Sequence, residues 1–229
     1  MIIGNGMIAS KFKENNYQHD NNVVIFASGV SNSQNLNDDE FNKEQILLDD
    51  IINTTKGKLL IYFSSCSVTD ESMNNNKYVI HKKHIEETIK QLNNFLIFRI
   101  SNPIGNTNNP HTILNNFYNK IQANQPINIR SNAKRNFIDL DDLYTIVNHI
   151  YENSIFKNDI ITIGNAKMTS MSEIIEAFEK IMNKKILYSL ENKGGSPIID
   201  INKIENVLKT CNIDFNDEYF FNTVKKYYG

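Results

Sequence analysis

Short apolar runs alternate with amphipathic segments along the first half of the chain. Runs rich in β-branched and aromatic residues predict buried strands at residues 1–3, 23–28, 58–64 and 95–100. Apolar residues at helical spacing predict helices at residues 7–14, 38–54 and 77–93. This alternation is typical of a parallel sheet with helices on both faces. We therefore predict an α/β fold built on a Rossmann-like parallel sheet.

The pattern becomes more mixed beyond Pro103. It predicts helices near residues 111–122, 140–152, 172–182, 201–210 and 216–227, and strands at 159–164 and 185–189. Ser170 and Glu173 have the spacing of a capping box, which marks a helix start. We interpret the chain as one two-lobed unit, with a ligand crevice at the carboxyl ends of the strands. The core is expected at about 1–105 and 135–165, and a smaller C-terminal lobe at about 106–134 and 166–229.

Composition narrows the classes of function. Of the 229 residues, 40% are hydrophobic and 22% are charged, which suits a globular domain. A net charge of −2 gives no basic excess for binding nucleic acid or an acidic membrane surface. No apolar run approaches the ~20 residues of a membrane-spanning helix. The two cysteines, Cys66 and Cys211, are too few for a disulfide framework, so we expect a cytoplasmic protein.

A glycine loop follows the first predicted strand. Gly4-Asn5-Gly6-Met7-Ile8-Ala9 has the pattern G-x-G-x-x-A. Its glycines let the backbone approach a pyrophosphate, and its small last residue lets the helix and the strand pack closely. The phosphates would then meet free N–H groups at the start of the helix. Two glycines also occur in strand–turn–helix units that bind nothing, so the loop alone leaves both interpretations open.

A second set of candidate residues follows the strand at 58–64. That strand runs into Ser64-Ser65-Cys66-Ser67, and the next helix carries Tyr78 and Lys82. A spacing of four places the phenol and the ammonium one turn apart on one helix face. A nearby cation favours tyrosinate, so Tyr78 would donate or accept a proton at a carbonyl or an alcohol. An isolated Tyr-x-x-x-Lys is common, but its order after a glycine loop and a serine-ended strand favours a catalytic site.

Together these segments resemble the extended short-chain dehydrogenase/reductase family, in particular its nucleotide-sugar epimerases, dehydratases and ketoreductases. The stretches that match are, in order, GNGMIA, VVIFASGVSNS, LLIYFSSCSV, YVIHKKHIEE, FRISNPIG and RNFIDLDDL. In the family they are the cofactor loop, the fourth strand, the strand with the catalytic Ser or Thr, the Tyr-Lys helix, the N-P-x-G turn and an R-D-F-x-x-V-x-D segment. The resemblance covers most of the chain.

The resemblance implies roles for individual residues. The implied catalytic set is Ser65, Tyr78 and Lys82. The implied contacts to NAD or NADP are Gly4, Gly6, Met7, Ile8, Ala27, Ser28, Gly29, Lys82 and Pro103. The implied contacts to a nucleotide sugar are Ser67, Asn102, Arg135 and Lys193. In this interpretation the core binds the cofactor and the smaller lobe binds the substrate.

The chain departs from the family near its N-terminus. Between the helix at 7–14 and the strand at 23–28 the family has two strands and two helices, whereas this chain has little more than NNYQHDNN. We therefore expect a sheet that lacks most of its second and third strand units. The acid for the cofactor ribose normally follows the glycines by about 20 residues, and only Asp20 lies near that place. Because strand connections are right-handed, either a stub near 17–20 keeps the usual path or the helix has changed face.

A second departure concerns the reaction. The family's 4,6-dehydratases carry an Asp-Glu pair directly after the catalytic Thr, where this chain has Cys66 and Ser67. Neither suits the elimination of water, so we do not expect a 4,6-dehydratase. The family's 3,5-epimerase-reductases have a Cys two positions after the Ser, which Cys66 does not match. We interpret Cys66 as a small packing residue.

Metal chemistry is not expected from this sequence. The histidines lack the spacing of metal ligands, and His81 and His84 have no obvious third ligand on their helix. Asp139, Asp141 and Asp142 resemble an acidic cluster. We interpret Asp142 as a structural residue that caps the next helix or bonds the backbone.

The residues and the resemblance together predict an NAD(P)-dependent nucleotide-sugar 4-ketoreductase or 4-epimerase in deoxysugar synthesis for a surface polysaccharide. The alternative is a non-catalytic nucleotide-sugar-binding or scaffold protein derived from this family. The shortened N-terminal region favours that alternative, and the intact catalytic set opposes it. The family also implies a homodimer that packs the helices at 38–54 and 77–93 into a bundle. Ile46 and Ile85 are placed for such a face, although burial against the sheet explains them equally well.

Overall fold

The computed structural model describes residues 1–15 and 17–229. Its central strands are β1 (Ile2–Ile3), β2 (Val23–Phe26), β3 (Leu59–Ser65), β4 (Phe95–Ile100) and β9 (Asp159–Ile163). They form one five-stranded sheet in the order β1–β2–β3–β4–β9, and every pair is parallel. The predicted α/β fold with a parallel sheet is confirmed.

Helices cover both faces of this sheet. They are α1 (Met7–Glu14), α2 (Asp38–Thr54), α3 (Lys77–Ile89) and α5 (Leu140–Glu152). Alternate residues of a strand point to opposite faces, so each strand feeds two cores. On one face Val24 packs in a cluster with Leu48 of α2 and Ile85 of α3. On the other face Ile25 packs in a cluster with Phe12 of α1 and with the apolar side of α5.

The connection from β1 to β2 differs from the two that follow it. The connections β2–α2–β3 and β3–α3–β4 place their helices on one face, whereas α1 lies on the opposite face although the chain advances in the same direction. The first connection therefore has the opposite hand to the next two. A 3-10 helix at Tyr17–His19 leads back towards β2. The stub that the sequence left open near 17–20 is thus a 3-10 turn, and α1 lies across the sheet from α2.

Aromatic contacts to α5 hold α1 in this place. The ring of Phe12 meets the ring of Tyr144 of α5 edge-on with centroids 5.1 Å apart. The Tyr17 hydroxyl donates to Asn148 Oδ1 at 2.6 Å, and the Tyr151 hydroxyl donates to the Asp20 carboxylate at 2.5 Å. Edge-on aromatic pairs and buried hydroxyl bonds both add to simple burial, so α5 supports the N-terminal segment where the sheet ends.

Further elements lie outside the central sheet and its covering helices. They are β5 (Asn102–Ile104), α4 (Ile113–Gln122), β6 (Ile127–Arg130), β7 (Lys134–Arg135), β8 (Phe137–Asp139), β10 (Thr169–Ser170), α6 (Met171–Met182), β11 (Tyr188–Glu191), α7 (Glu205–Thr210) and α8 (Tyr219–Tyr228). Most of them surround a second hydrophobic core, whereas α7 packs into the first core through Val207 and Leu208. The short strands pair as β5–β8, β6–β11 and β7–β10. Phe117, Ile129, Phe178 and Val224 share this core. The division of the chain into two lobes stays a prediction.

Side-chain caps fix two helix starts in this half. Ser170 and Glu173 form the predicted capping box, each side chain accepting from the other's backbone N–H. The cap of α5 is Asp139, which accepts from the N–H of Asp141 at 2.8 Å. Asp142 does not cap the helix, because it already lies inside the first turn. Its carboxylate accepts from the Tyr219 hydroxyl at 2.6 Å and so ties α5 to α8.

Some details of the predicted pattern are wrong. The helix predicted to reach residue 93 ends at Ile89, and the strand predicted at 185–189 starts only at Tyr188. Ile46 is 68% exposed, because Leu48 of α2 faces the sheet instead. Ile85 is fully buried against the sheet, which leaves only Ile46 of the two available for an intersubunit face. Within the described residues, no helix has the length and apolar character to cross a membrane.

Candidate functional site

A cleft of about 1000 Å³ opens at the carboxyl ends of the central strands. The loops after β1 and β2, the end of β3 and the segment after β4 form one side, and α4, β6 and β7 form the other. Ligands of open parallel sheets bind at this edge. The predicted site residues that line the cleft are Gly6, Met7, Ile8, Ala27, Ser28, Gly29, Ser65, Ser67, Tyr78, Lys82, Asn102, Pro103 and Arg135.

The two glycines of the loop after β1 have different structural surroundings. Gly4 has a φ of +121°, and a Cβ there would lie 2.3 Å from the carbonyl oxygen of Ala27. The loop therefore crosses the end of β2 at a distance that only glycine permits. Gly6 is exposed at the N-cap of α1, and a Cβ there would meet nothing within 4 Å. It leaves the N–H donors of the first helical turn, around Met7 and Ile8, open to a ligand.

Strand β3 delivers serines to the cleft. Ser65 ends the strand, and its hydroxyl accepts from the N–H of Ser67 at 3.1 Å, which starts the 3-10 helix Cys66–Thr69. Ser64 is buried and donates to the carboxylate of Glu86 at 2.6 Å. Ser64 therefore has a structural contact, whereas the half-buried Ser65 has the more accessible hydroxyl.

Helix α3 brings Tyr78 and Lys82 to the same cleft. Asn76 starts the helix by accepting from the N–H of Val79 at 3.2 Å. Tyr78 is 7% exposed and Lys82 is 2% exposed. The Lys82 ammonium lies 5.7 Å from the centre of the Tyr78 ring. One helical turn therefore places both groups in the site, as their spacing requires.

The Lys82 ammonium is engaged by a buried carboxylate. Its Nζ donates to Glu44 Oε1 at 2.8 Å and to the Tyr62 hydroxyl at 2.9 Å. The Tyr62 hydroxyl donates in turn to Glu44 at 2.9 Å. Glu44 also accepts from the N–H of Val30 at 2.9 Å and faces His81 Nε2 at 3.0 Å. A compact charged network therefore lies beneath the cleft.

Glu44 is ionised within this network. Burial acts to raise its pKa, but the charge of Lys82 and hydrogen bonds from His81, Lys82 and a backbone N–H outweigh burial and hold the pKa at about 2. No sequence motif singles out this residue. A signal was present, since Glu44 interrupts the buried stripe that Phe41 and Leu48 define on α2. A charged residue at such a position needs a buried partner.

The segment after β4 adds polar groups to the site. Asn102 Nδ2 donates to the carbonyl oxygen of Asn136 at 2.8 Å, and both Asn102 and Pro103 line the cleft. Ser101 was not foreseen as a site residue. It is 6% exposed and borders the cleft, and its Oγ has no hydrogen-bond partner among the described residues. Because a buried unpaired hydroxyl is destabilising, a ligand in the cleft would gain by bonding it.

Two arginines lie on the opposite side of the cleft. Arg135 donates to the carbonyl oxygens of Lys134 at 2.9 Å and Gly195 at 3.4 Å. Burial, and then repulsion from Arg130, lowers the pKa of Arg135. Arg130 lines the cleft from β6 and was not singled out in the sequence. Two neighbouring cations at the mouth of a cleft attract an anionic ligand.

Lys193, the predicted second phosphate contact, is not brought to the cleft. It is exposed, and its Nζ pairs with Glu191 at 2.6 Å. The same glutamate belongs to β11, which pairs with β6 in a register that sets Glu191 beside Arg130. The structure therefore offers Arg130 at the cleft in the place that the sequence analysis gave to Lys193.

Cys66 and Asp20 have structural surroundings. Cys66 is 3% exposed and its Sγ donates to the carbonyl oxygen of Arg99 at 3.3 Å. Burial raises the pKa of its thiol to about 12, which fits the predicted packing residue. Asp20 is held by Tyr151 and does not line the cleft, so it is not placed for a cofactor ribose.

The histidines that bear on the site have separate surroundings. His81 faces Glu44, His84 is exposed, and His111 borders the cleft from the outside. In the part of the chain that the structure describes, no three His, Cys, Asp or Glu side chains are grouped to hold a metal ion.

Comparison with protein families agrees with this geometry. The family described as the NAD dependent epimerase/dehydratase family matches residues 18–164. The matched segment contains β2 to β9 and the Ser65, Tyr78 and Lys82 set, but not the glycine loop. The chain belongs to this family of NAD-dependent epimerases and dehydratases. No curated protein sequence matches the chain.

Solved structures show the same fold at low sequence identity. A dTDP-glucose 4,6-dehydratase from Bacillus anthracis in complex with NAD has a TM-score of 0.70 at 13% identity, over 97% of this chain and 76% of that one. A UDP-N-acetylglucosamine 4-epimerase from Methanobrevibacter ruminantium, in complex with UDP-N-acetylmuramic acid, has a TM-score of 0.69 at 15% identity over 90% and 75%. A UDP-glucose 4-epimerase from Bifidobacterium longum, in complex with NAD+ and UDP, has a TM-score of 0.68 at 15% identity over 96% and 81%.

Proposed function

We propose that this protein is an NAD(P)-dependent nucleotide-sugar 4-ketoreductase or 4-epimerase, acting in deoxysugar synthesis for a surface polysaccharide. The observation that carries the proposal is the meeting of Ser65, Tyr78 and Lys82 in one cleft that runs from the glycine loop to Arg135. A hydroxyl, a phenol and an ammonium together can exchange a proton at a sugar oxygen. The solved relatives, which are named for nucleotide-sugar reactions, support the substrate class.

Each member of the set has a distinct task in this proposal. Tyr78 donates or accepts the proton at the C4 oxygen of the sugar, and Ser65 orients that oxygen through its hydroxyl. Lys82 places a positive charge beside Tyr78, with its Nζ 5.7 Å from the centre of the ring. Two of its three N–H donors are engaged by Glu44 and Tyr62, which leaves the third for a ribose hydroxyl of the cofactor.

The residues of the cleft fit a nicotinamide dinucleotide. Gly6 keeps open space in front of the α1 N-terminus, where N–H donors and the helix dipole suit a pyrophosphate. The unpaired hydroxyl of Ser101 supplies a hydrogen bond at the end of β4. Bound NAD or NADP would supply hydride transfer at one carbon of the sugar. Ala27, Ser28 and the backbone of the loop after β2 would border it.

The other side of the cleft would hold the nucleotide sugar. Arg135 and Arg130 would bind the diphosphate, because a guanidinium can pair two phosphate oxygens at once. Ser67 and Asn102 line the same cleft and would contact the sugar. A 4,6-dehydration is not proposed, because the buried thiol of Cys66 stays protonated at neutral pH.

A cofactor titration tests the proposal first. Purified protein is titrated with NADH and with NADPH while the cofactor fluorescence is followed, and no binding at millimolar cofactor would contradict the enzymatic function. Tyr78→Phe should then reduce hydride transfer to a 4-keto nucleotide sugar by about 100-fold or more while cofactor affinity stays nearly unchanged. Tyr188→Phe, which removes an exposed phenol on β11, is the matched control. Equal turnover in Tyr78→Phe and wild type would refute the role of Tyr78.

One observation favours the alternative, a nucleotide-sugar-binding or scaffold protein without turnover. Strand β1 lies at the edge of the sheet and is only two residues long. The adenosine half of a dinucleotide would therefore have little structure beneath it beyond the glycine loop. A protein that binds a nucleoside diphosphate sugar but neither NADH nor NADPH in the same titration would support this second function.

We also propose that the chain divides into a cofactor core, at about 1–105 and 135–165, and a substrate lobe, at about 106–134 and 166–229. The separate hydrophobic core among α4, β6, α6 and α8 supports this division. Limited proteolysis should cut first near the predicted junctions, and first cleavage within α6 would contradict it.

A second copy of the chain is the proposed partner of α2 and α3. Ile46 and Ile80 are 68% and 53% exposed on these helices, and exposed apolar residues on a helix pair suit a symmetric bundle. Ile46→Glu should convert a dimer to a monomer in light scattering, whereas Ile155→Glu, at an apolar residue outside both helices, should not. A dimer that survives Ile46→Glu would exclude this face.

A further inference from the structure

Glu44 joins the elements that surround the inner end of the cleft. Its side chain comes from α2 and is 4% exposed. The carboxylate receives the N–H of Val30 from the loop after β2, the hydroxyl of Tyr62 from β3 and the ammonium of Lys82 from α3, at 2.8 to 2.9 Å. One charged group therefore ties together four parts of the fold that the site depends on.

The loop after β2 passes directly over the ion pair of Glu44 and Lys82. A Cβ on Gly29 would lie 2.6 Å from Lys82 Nζ and 2.8 Å from Glu44 Oε1. Only glycine at this position therefore lets the loop lie this close to the ion pair. The proposed cofactor loop and the charged pair are close neighbours at this point.

Glu44 is also the carboxylate that balances the charge of Lys82. The groups that face Lys82 are Glu44 from α2, Tyr62 from β3, and Tyr78 from its own helix, with His81 reaching the other oxygen of Glu44. Glu86 lies one turn further along α3, but Arg99 holds it at 2.6 Å. A buried ammonium without a counter-charge is unfavourable, and burial drives it towards the neutral amine.

We propose that Glu44 is a positioning residue that fixes Lys82 beside Tyr78 and keeps Lys82 in its ammonium form. Glu44 acts through Lys82 and does not touch the reacting atoms. The placement of Lys82 stands on the geometry described here, whereas its consequence for proton exchange at Tyr78 rests on the proposed function.

A side-chain NMR titration tests this role without using activity. Glu44→Gln keeps the size and one acceptor oxygen but removes the charge. The Cε signal of Lys82, assigned by its loss in Lys82→Met, is followed from about pH 6 to 9, a range in which burial can deprotonate an unpaired lysine. We expect Lys82 to stay an ammonium in the wild type and to lose its proton within this range in Glu44→Gln. Identical titrations would overturn the proposal.

Two further variants separate charge from packing. Glu86→Gln removes an equally buried carboxylate that pairs with Arg99, and it should leave the Lys82 signal in its ammonium form. Glu44→Asp keeps the charge and should restore that form. If the Lys82 signal changes as much in Glu86→Gln as in Glu44→Gln, the change is a general effect of losing a buried charge. That result would overturn the specific role of Glu44.

The activity readout is kept apart from the NMR readout. If hydride transfer is measurable, Glu44→Gln should lose it progressively as the pH rises through the range in which Lys82 loses its proton, and Glu44→Asp should follow the wild-type profile. If neither the wild type nor any variant shows hydride transfer, the proposed function fails, but the NMR result still tests the role of Glu44. If Glu44→Gln does not fold, a neutral Lys82 amine in the wild type at neutral pH would overturn the proposal by itself.

Discussion

Lowering the pH should reduce the stability of this protein through one identifiable group, Glu44. Its pKa is held at about 2 in the folded protein, against an ordinary value of 4.5. A folded-state pKa below the unfolded one contributes stability that is fully present above about pH 4.5 and is lost as the pH falls towards 2. The glutamine side chain of Glu44→Gln does not titrate, so stability has no pH dependence from this position in the variant. Comparison with the wild type therefore isolates the contribution of the Glu44 carboxylate.

The magnitude follows from the difference between the two pKa values. That difference corresponds to about 3 kcal/mol of unfolding free energy, of which about 2 kcal/mol is lost between about pH 5 and pH 3. At neutral pH, Glu44→Gln should itself be destabilised by about 3–5 kcal/mol, because it leaves the buried ammonium of Lys82 without its counter-charge. The stability gap between wild type and variant should therefore narrow by about 2 kcal/mol as the pH falls to 3.

Urea unfolding followed by far-ultraviolet circular dichroism measures this gap, since the chain contains no tryptophan. Wild type, Glu44→Gln and Asp50→Asn are compared at several pH values. Asp50 lies on the exposed side of α2 and controls for the loss of one negative charge from the same helix. A gap between wild type and Glu44→Gln that stays constant from pH 5 to pH 3 would refute the reasoning.

Other predictions concern the loop, the C-terminal helix and the anion site. Gly4→Ala should lower the free energy of unfolding by at least about 1–3 kcal/mol, because the positive φ and the 2.3 Å approach to Ala27 exclude a Cβ. Gly6 faces open space, so Gly6→Ala should change the thermal unfolding temperature little. Equal shifts in unfolding temperature for the two variants would contradict this prediction. Tyr219→Phe should lower the free energy of unfolding by about 1.5–3 kcal/mol, since the hydroxyl donates to Asp142 and accepts from the N–H of Asp139. Lys226→Met removes a partly exposed ion pair and should lower it by less than about 1 kcal/mol. The reverse order of the two losses in chemical denaturation would be inconsistent with the structure. Arg130→Ala should weaken calorimetric binding of a nucleoside diphosphate about tenfold, whereas Lys193→Ala should leave it unchanged; a loss in Lys193→Ala alone would restore that lysine to the site.

Much of the fold could be predicted from the sequence because its strongest signals are local. The buried strands β3 and β4 are continuous apolar runs, and the bounds of α1 and α2 follow from helical spacing alone. The helix α3 was predicted too long, since its apolar pattern continues past Ile89 into a turn. The sequence left Ile46 open between burial against the sheet and an intersubunit face, because its position on α2 suits both; the structure leaves it 68% exposed.

The path of α1 could not be predicted from the sequence. The sequence showed that little chain separates α1 from β2, but the face on which α1 packs is decided by contacts with α5. Those contacts, such as Tyr17 with Asn148, join residues far apart in the sequence, and no local pattern reports them.

The lining of the candidate site could be predicted where a motif names its residues, but not where packing selects them. Ser65, Tyr78 and Lys82 stand at recognisable spacings, and the structure brings them to one cleft. Glu44 enters only through burial against Lys82, and Arg130 enters only because β6 pairs with β11 at the edge of the cleft. Lys193 follows the motif order but its loop turns it towards Glu191.

The docking of the N-terminal segment on α5 also bears on the order of folding. The Tyr17–Asn148 and Asp20–Tyr151 hydrogen bonds each span 131 positions in the sequence, and contacts of such separation form late because the intervening chain must first be ordered. We expect the glycine loop to become structured after β2 to β4 and to show the earliest exchange of its amide hydrogens in the native protein. A ligand that binds this loop would then bind the slowest-forming part of the molecule, and it would protect α1 and α5 from exchange together.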